Sequence, residues 1–545
     1  MKTEQRLILA LGLSFLIIAF YPYVLKTFFP SLVQTPPKIE QSQPIENKEV
    51  ASIQKPISLS IKTSDHSLRA PKFNSALESV HIDNYDLKIS PAGALIQYMN
   101  LSDISGGVLI DAQDGPGSFQ VWLEGFEALS SSADFQRNKS IEKRGELIYQ
   151  IDLDSKIRME KRYIFIPGKN AFILNLTFNN LTDQPITTSY ELSSQVRFTE
   201  TNADHAYVEF NLNTPEKIYS KKVDKLRKAP YIYEGKIDWF ALTRKYFSVI
   251  LKPESKFSPE QIRAKELSPD TMEALLKTKR FDIPANGSAS QDYLVYAGPN
   301  SYDALKSFGF DFQKILSKGF FGPLKIGTLI VLHWFYSVIP NYGVAIILLT
   351  ILVKILFSPL THISFESMRR MQALQPKIKS LQAHYKSDPQ RMQKEMMNLY
   401  KKNKVNPLAG CLPLLLQMPI FIALYQALSQ AVELRGAPFF GWIHDLSQPD
   451  RLFTLPFSIP FLGDGINILP LVMIGSMIWQ QKLTPSSGMD PQQEKIMQFM
   501  PIMFGFIFYS LPSGLVIYWT LSNFLTIAQQ LIIKRIPFNL HPDTV

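Results

Sequence analysis

One cysteine, Cys411, in 545 residues leaves no partner for a disulfide and too few thiols for a Cys-based metal site. It sits in an apolar run and reads as a buried, inert thiol. Also missing are a Gly-x-Ser-x-Gly elbow, a His-Glu-x-x-His helix, a Walker loop and any carboxylate pair within an apolar stretch. Hydrolytic, metal-assisted and nucleotide-driven chemistry therefore lack sequence support, and the expectation is a non-enzyme with neither cofactor nor metal. Inverted internal repeats, common in secondary transporters, are absent as well. The net charge is +10, from 57 Lys and Arg against 47 Asp and Glu, and no nucleotide- or base-recognition motif accompanies it.

Hydropathy averages near zero although 46% of residues are hydrophobic, so a polar part and an apolar part are being averaged. Leu7–Leu25 is an uncharged run preceded by Lys2 and Arg6. It is long enough to span a bilayer, and its exit lacks a small-x-small cleavage pattern. Residues 1–29 are read as an uncleaved anchor and 30–69, rich in Pro, Gln, Ser, Lys and Glu, as a tether. Short alternating or β-branched runs such as Ala171–Leu176, broken by Asn, Asp, Gly and Pro, then predict a large antiparallel β-sandwich. With a helix over Ser301–Leu316, this domain occupies 70–318. Residues 319–341 carry Lys325 and His333 between Pro and Gly breaks, which fits an interfacial helix.

The rest, 342–535, reads as five spans: Tyr342–Leu360, Leu408–Ala431, Ile466–Trp479, Ile496–Leu511 and Gly514–Ile533. With the anchor this makes six transmembrane helices, with both termini on one side. Between the first two spans of the core, residues 366–404 hold ten Lys and Arg against three acids, which places this loop in the cytoplasm and the β domain on the other face. Most of the net charge is thereby located, and a nucleic-acid substrate becomes an unneeded explanation. Met368, Met371, Leu374, Ile378 and Leu381, then Met392, Met396 and Leu399 after Ser387-Asp388-Pro389, predict an antiparallel helical hairpin over 364–405. Its Met stripe is either the seam of the hairpin or a substrate-contacting surface. Its basic face, with Arg369, Arg370, Lys377 and Lys401, suits anionic lipid or a partner. Residues 536–545 are read as a short cytoplasmic tail.

Between Lys325 and Glu366 the only formal charge is Lys354, deep within the first core span, with Thr350 and Ser358 at i−4 and i+4. No span supplies a carboxylate for it. Either it snorkels to the headgroups or it marks a hydrated groove open to the cytoplasm, since ionisable groups inside a membrane are costly. Gln417, Tyr518, Ser522 and Asn523 are polar groups available to line such a groove, or to hydrogen-bond between helices. Twelve of the 16 Met lie beyond residue 367, giving adaptable apolar surface.

Asn406-Pro407-Leu408-Ala409-Gly410-Cys411-Leu412-Pro413, Gln417-Met418-Pro419-Ile420-Phe421, Val432-Glu433-Leu434-Arg435, Trp442-Ile443-His444-Asp445-Leu446-Ser447, Gln498-Phe499-Met500-Pro501 and Pro512-Ser513-Gly514-Leu515 occur in one register. Together they strongly resemble the insertases of the YidC/Oxa family. The N-terminal anchor and β domain resemble its Gram-negative branch, which implies an inner-membrane protein with a periplasmic domain. The resemblance further implies a groove closed to the periplasm, with Lys354, Thr350, Tyr518 and Met418 at matching positions, and Gln417 is the polar residue expected to join them. The apolar second and fourth core spans are expected to form an exit at Ile420, Phe421, Met500 and Met503 for a client's hydrophobic segment, and the resemblance implies nascent membrane proteins as clients. The Sec translocon, ribosomes and the signal-recognition pathway are the partners it implies. The family's groove cation is typically Arg, and Lys354 here keeps the charge without the planar fork. The rival reading is a small-solute transporter or channel, and a further one is a membrane-bound enzyme with a β-domain sensor.

Overall fold

The structure is a computed structural model that describes residues 76–104, 106–112, 117–198, 205–254, 259–385, 388–403, 405, 412–459, 463–483 and 491–535. The expected anchor, tether and C-terminal tail, and the Asn406–Cys411 motif, lie outside the described residues.

The first half is a β-sandwich. Its larger layer is a nine-stranded antiparallel sheet ordered Ile218–Lys222, Glu209–Asn213, Trp239–Thr243, Phe247–Pro253, Ser288–Pro299, Ala171–Asn180, Ile157–Phe165, Glu146–Leu153 and Gln136–Arg137. A five-stranded sheet centred on Thr271–Thr278 and Tyr190–Arg197 forms the other layer, and a four-stranded meander over 78–111 adds to it. Strand Ala171–Asn180 alternates fully and partly buried positions along most of its length, the period-2 signature that places Phe172, Leu174, Leu176 and Phe178 in the core. The register Phe165↔Phe172 sets these rings against each other, with centroids 5.2 Å apart.

The expected helix at Ser301–Leu316 is broken. Tyr302–Ser307 is helical and Phe312–Ile315 is a 3-10 turn, because Gly309 and Asp311 both adopt the left-handed region. The fold-back lets Phe308 and Phe312 pack on Tyr296, while Trp239 Nε1 donates to Phe310 O at 2.9 Å.

The helical part comprises α1 (Gly322–Val338), α2 (Tyr342–Ala373), α3 (Gln375–His384), α4 (Pro389–Lys402), α5 (Leu412–Gln430), α6 (Ile468–Leu483), α7 (Pro491–Phe508) and α8 (Ser513–Arg535). Asn341 caps α2, accepting from Val344 N at 3.1 Å. That helix passes through Pro359 and continues 13 residues beyond Leu360 into the polar hairpin. Among the described residues two helices, α2 and α8, are long and apolar enough to cross a membrane. α6 has 16 residues and α7 opens on a polar turn, Pro491-Gln492-Gln493-Glu494-Lys495. α8 is central: Leu515, Val516, Tyr518 and Trp519 pack with Ile346 and Leu349 of α2, Leu424 and Ala427 of α5 and Met473 of α6.

Between α5 and α6 the chain forms a compact turn and a two-stranded hairpin, Arg451–Ile459 with Gly463–Asn467. The hairpin was not expected from the sequence. Asp445 Oδ1 accepts from Ser447 N and Oγ, closing the turn around Trp442. Asp450 then holds the segment to α6, its Oδ2 accepting from Ile468 N (2.9 Å), Leu469 N (2.8 Å) and Trp442 Nε1 (3.2 Å). A carboxylate on the first amides of a helix is favourable. Asp450→Ala is therefore expected to cost about 2 kcal/mol and to lower the melting temperature of the detergent-solubilised chain by several degrees. Unchanged melting would show that the cap contributes little.

The β domain and the helical part meet at the end of α5. Val432 belongs to the sandwich's own hydrophobic cluster, and Lys318 Nζ pairs with Glu209 Oε2 at 2.7 Å beside Lys325, whose Nζ donates to Gln430 Oε1 at 2.7 Å.

Candidate functional site: a polar cavity among the apolar helices

A run of residues on α8 sets the site. Tyr518, Ser522, Thr526 and Gln530 recur at i+4, with Trp519 and Asn523 alongside, and this face is buried inside the helical part. Four polar contacts tie it to its neighbours or to itself. Lys354 Nζ of α2 donates to Thr526 Oγ1 at 2.8 Å, and that hydroxyl donates to Ser522 O at 2.8 Å. Gln417 Nε2 of α5 donates to Ser522 Oγ at 3.1 Å, and Asn523 Nδ2 to Ser476 Oγ of α6 at 3.0 Å.

Lys354, Gln417, Asn523 and Thr526 border a cavity of about 230 Å³, bounded by α2, α5, α6, α7 and α8. From Tyr518 and Trp519 it extends past Lys354 and Thr526 to Phe365, Met368 and Gln530, toward the helical hairpin. At the other end Trp519 sits among Phe421 (centroids 4.8 Å apart), Phe508 (5.2 Å) and Phe504 (5.8 Å). This aromatic plug lies between the cavity and the turn where Gly514 N meets Leu446 O. The Trp519 indole N–H is buried with no acceptor among the described residues. Lys354 has no carboxylate within ion-pair distance among the described residues, so its charge is held by a hydroxyl and by whatever polar matter fills the cavity.

Of the residues expected in the groove, Lys354, Gln417 and Tyr518 line the cavity. Thr350 does not: it is fully buried one turn deeper, where Ile346 and Leu349 pack against α8, and its hydroxyl donates to Ile346 O at 2.7 Å. Met418 is also outside, 39% exposed on the outer face of α5, since adjacent residues on a helix point about 100° apart. Of the expected exit, Ile420 and Met500 line the cavity, Phe421 is in the aromatic plug, and Met503 is 55% exposed on the outer face of α7. Trp519, Met477, Gln480, Gln481, Thr361 and Met368 border the cavity without having been singled out as groove residues.

In the hairpin, Arg369 Nη1 donates to Ile533 O near the end of α8 at 2.9 Å, the favourable place for a cation at a helix C-terminus. Arg370 pairs with Glu366 at 2.7 Å, while Lys377 and Lys401 are exposed. Met371, Leu374 and Ile378 pack with Tyr400, Val405, Met396 and Leu399, forming a seam, whereas Met368 turns to the cavity and Met397 is exposed. Among the described residues no group of three His, Cys, Asp or Glu is placed to hold a metal ion.

The family model for the 60Kd inner membrane protein matches residues 334–539, and that for the YidC periplasmic domain matches residues 79–325. The membrane protein insertase YidC of Geotalea daltonii is 32% identical, with the alignment covering 98% of this chain and 99% of that protein. Its namesake in Syntrophobacter fumaroxidans is 36% identical over 71% of this chain and 70% of its own. That of Pelobacter propionicus is 41% identical over 58% of each. A crystal structure of an active YidC insertase, 19% identical, covers 86% of this chain and 94% of its own, with a TM-score of 0.38.

Proposed function

Because the chain belongs to the YidC family and is a membrane protein insertase of the inner membrane with a periplasmic β-rich domain, we propose that its polar cavity is where a client's hydrophilic end is received. The observation that carries this reading is Lys354: a cation held by a hydroxyl, at the wall of a cavity that leads toward the basic hairpin and ends at an aromatic plug on the β-domain side. A short polar tail drawn to Lys354 exchanges water for the amides and hydroxyls of Gln417, Asn523 and Thr526. The client's apolar segment meanwhile leaves past Ile420 and Met500 onto the lipid-facing side chains of α5 and α7, including Met418 and Met503. Burial of that segment in lipid supplies the drive, with the membrane potential assisting acidic tails. No covalent step and no nucleotide enter this scheme.

The scheme takes residues 1–29 as a sixth span joined by a 30–69 tether, with both termini in the cytoplasm. Residues 342–535 are its five-helix core, and 364–405 its cytoplasmic hairpin. Arg369 and Arg370 are engaged within the protein, which leaves exposed Lys377 and Lys401 for anionic lipid, the ribosome or the signal-recognition pathway, and the scheme allows work with or without the Sec translocon. Site-directed crosslinking of a stalled single-span nascent chain tests the path. Probes at Tyr518, Gln417 and Met500 are expected to capture the client and a probe at Thr350 is not. Capture at Thr350 equal to that at Tyr518 would overturn the assignment of the cavity as the path.

A further inference from the structure

The hairpin between α5 and α6 is apolar and takes no part in the client cavity. From Leu452 to Gly463 its sequence holds no charge, and the flanking Arg451 and Asp464 pair with each other across it at 3.4 Å. Its strands are in register at Phe453↔Ile466 and Thr454↔Gly465, and again at Ile459↔Gly463. Residues 455–458 therefore stand opposite Asp464 alone. Pro456 suits such a bulge, because it has no N–H to give the ladder. Phe457 lies in the bulge and Phe453 just before it, and they are 62% and 55% exposed. Large exposed apolar groups on so short an element mark a contact surface.

The packing of the hairpin fixes its level. Strand Gly463–Asn467 runs into α6 without a break, and Asn467 is tied to the end of α7. Its backbone N donates to Tyr509 Oη at 3.2 Å and its Nδ2 to Tyr509 O at 2.6 Å, while Tyr509 Oη donates to Gly465 O at 2.9 Å. At this same end α8, long and apolar enough to cross a membrane, begins, with Ser513 N donating to Gln448 O at 2.7 Å. It is also the end nearest the β domain, since Val432 after α5 belongs to the sandwich's cluster. The hairpin is therefore level with the periplasmic headgroups. Exposed apolar side chains reach this level on both helices that the hairpin joins, Leu471 and Val472 at the start of α6 and Phe506 and Ile507 in the last turn of α7. Phe453 and Phe457 extend exposed apolar surface past the helix ends. Aromatic rings favour this boundary. The interrupted ladder limits the depth, because peptide groups outside a ladder need water that the hydrocarbon centre lacks.

We propose that Phe453 and Phe457 enter the boundary between headgroups and acyl chains of the periplasmic leaflet, placing a lipid contact beside the end of α7. The contact is separate from the client cavity and does not depend on that assignment. Spin labels at Phe453→Cys or Phe457→Cys test it, on the full chain carrying Cys411→Ser, in nanodiscs of phosphatidylethanolamine and phosphatidylglycerol. Leu356→Cys, exposed on the apolar helix α2, and Ala285→Cys, in an exposed turn of the β domain, supply the lipid and water references. Both hairpin labels should collide with dissolved oxygen nearly as often as the α2 label. With a water-soluble nickel chelate they should collide several-fold less often than the β-domain label. Nickel collision equal to that at Ala285→Cys would overturn the proposal, because the hairpin would then stand in water. Protection from both reagents would overturn it too, and would assign the surface to protein, either residues 1–29 or a second copy of the chain.

Discussion

Lys354→Glu should lower insertion of a client with an acidic polar tail by at least about tenfold in proteoliposomes, while a client with a neutral tail changes by less than about threefold. The difference is electrostatic. Two unit charges about 8 Å apart at an effective dielectric near 20 interact by about 2 kcal/mol, and reversing one changes the sign of that energy. Water and salt reaching the cavity screen part of it, which is why the expectation is set well below the full reversal. Lys354→Arg should retain most activity, because the scheme asks for charge and hydration and not for a bidentate fork. A snorkelling anchor predicts something else: since it acts on the position of α2 and not on the client, Lys354→Glu would then reduce all clients alike and reduce the amount of folded chain. Lys354 Nζ points to Thr526 of α8, 2.8 Å away, and so is engaged among the helices. Equal losses for acidic and neutral tails would remove the electrostatic role.

Where side-chain period and burial coincide, the sequence was legible. Ala171–Asn180 shows its alternation because one face of the strand is core and the other is half-solvated. Lys354 is visible for the opposite reason, as a charge in a run with no other, and Gln417 and Tyr518 stand out as polar groups in apolar spans, the resemblance adding to the case for Tyr518. Apolar helices hide which face looks inward, since lipid and core both accept Leu, Ile and Phe. For that reason Trp519 carries no groove signal in the sequence, and the resemblance points to Met418 where its neighbour Gln417 lines the cavity. Thr350 shared the helical spacing of Lys354, but spacing does not report depth, and the packing of Leu349 closes the cavity before that turn. The apolar span ends at Leu360, yet the helix runs on through Ala373, with Thr361 Oγ1 donating to Phe357 O at 2.9 Å. The hairpin at Arg451–Asn467 was hidden by Pro456 and by an aromatic content that reads as interfacial loop.

Raising the pH from about 7 toward 10 should stabilise the β-sandwich through one buried lysine. Lys161, on strand Ile157–Phe165, is fully buried, with Nζ donating to Gly93 O at 2.6 Å and to Phe119 O at 2.8 Å. Burial pushes its ammonium down to about 7. In the unfolded chain the same group holds its proton to about 10.4. Between those values the unfolded state binds more protons than the folded state, so stability rises with pH, by at most about 1.4 kcal/mol per unit. Below about 7 both states carry the proton, and this source of pH dependence vanishes. Near pH 10 a counter-trend begins, because buried Tyr163 and Tyr149 are pushed well above the ordinary phenol range, Tyr149 with Glu78 adding to the effect of burial. The unfolded chain then loses phenolic protons that the folded chain keeps, and stability falls. Lys161→Met removes this lysine's share of the rising limb, leaving that of Lys318, which burial also pushes down, together with the fall at high pH, while two carbonyls lose their donor. Urea unfolding of the detergent-solubilised chain, followed by amide exchange in Ile157–Phe165 at a series of pH values, measures both limbs. A rising limb that is undiminished in Lys161→Met would show that other groups carry it.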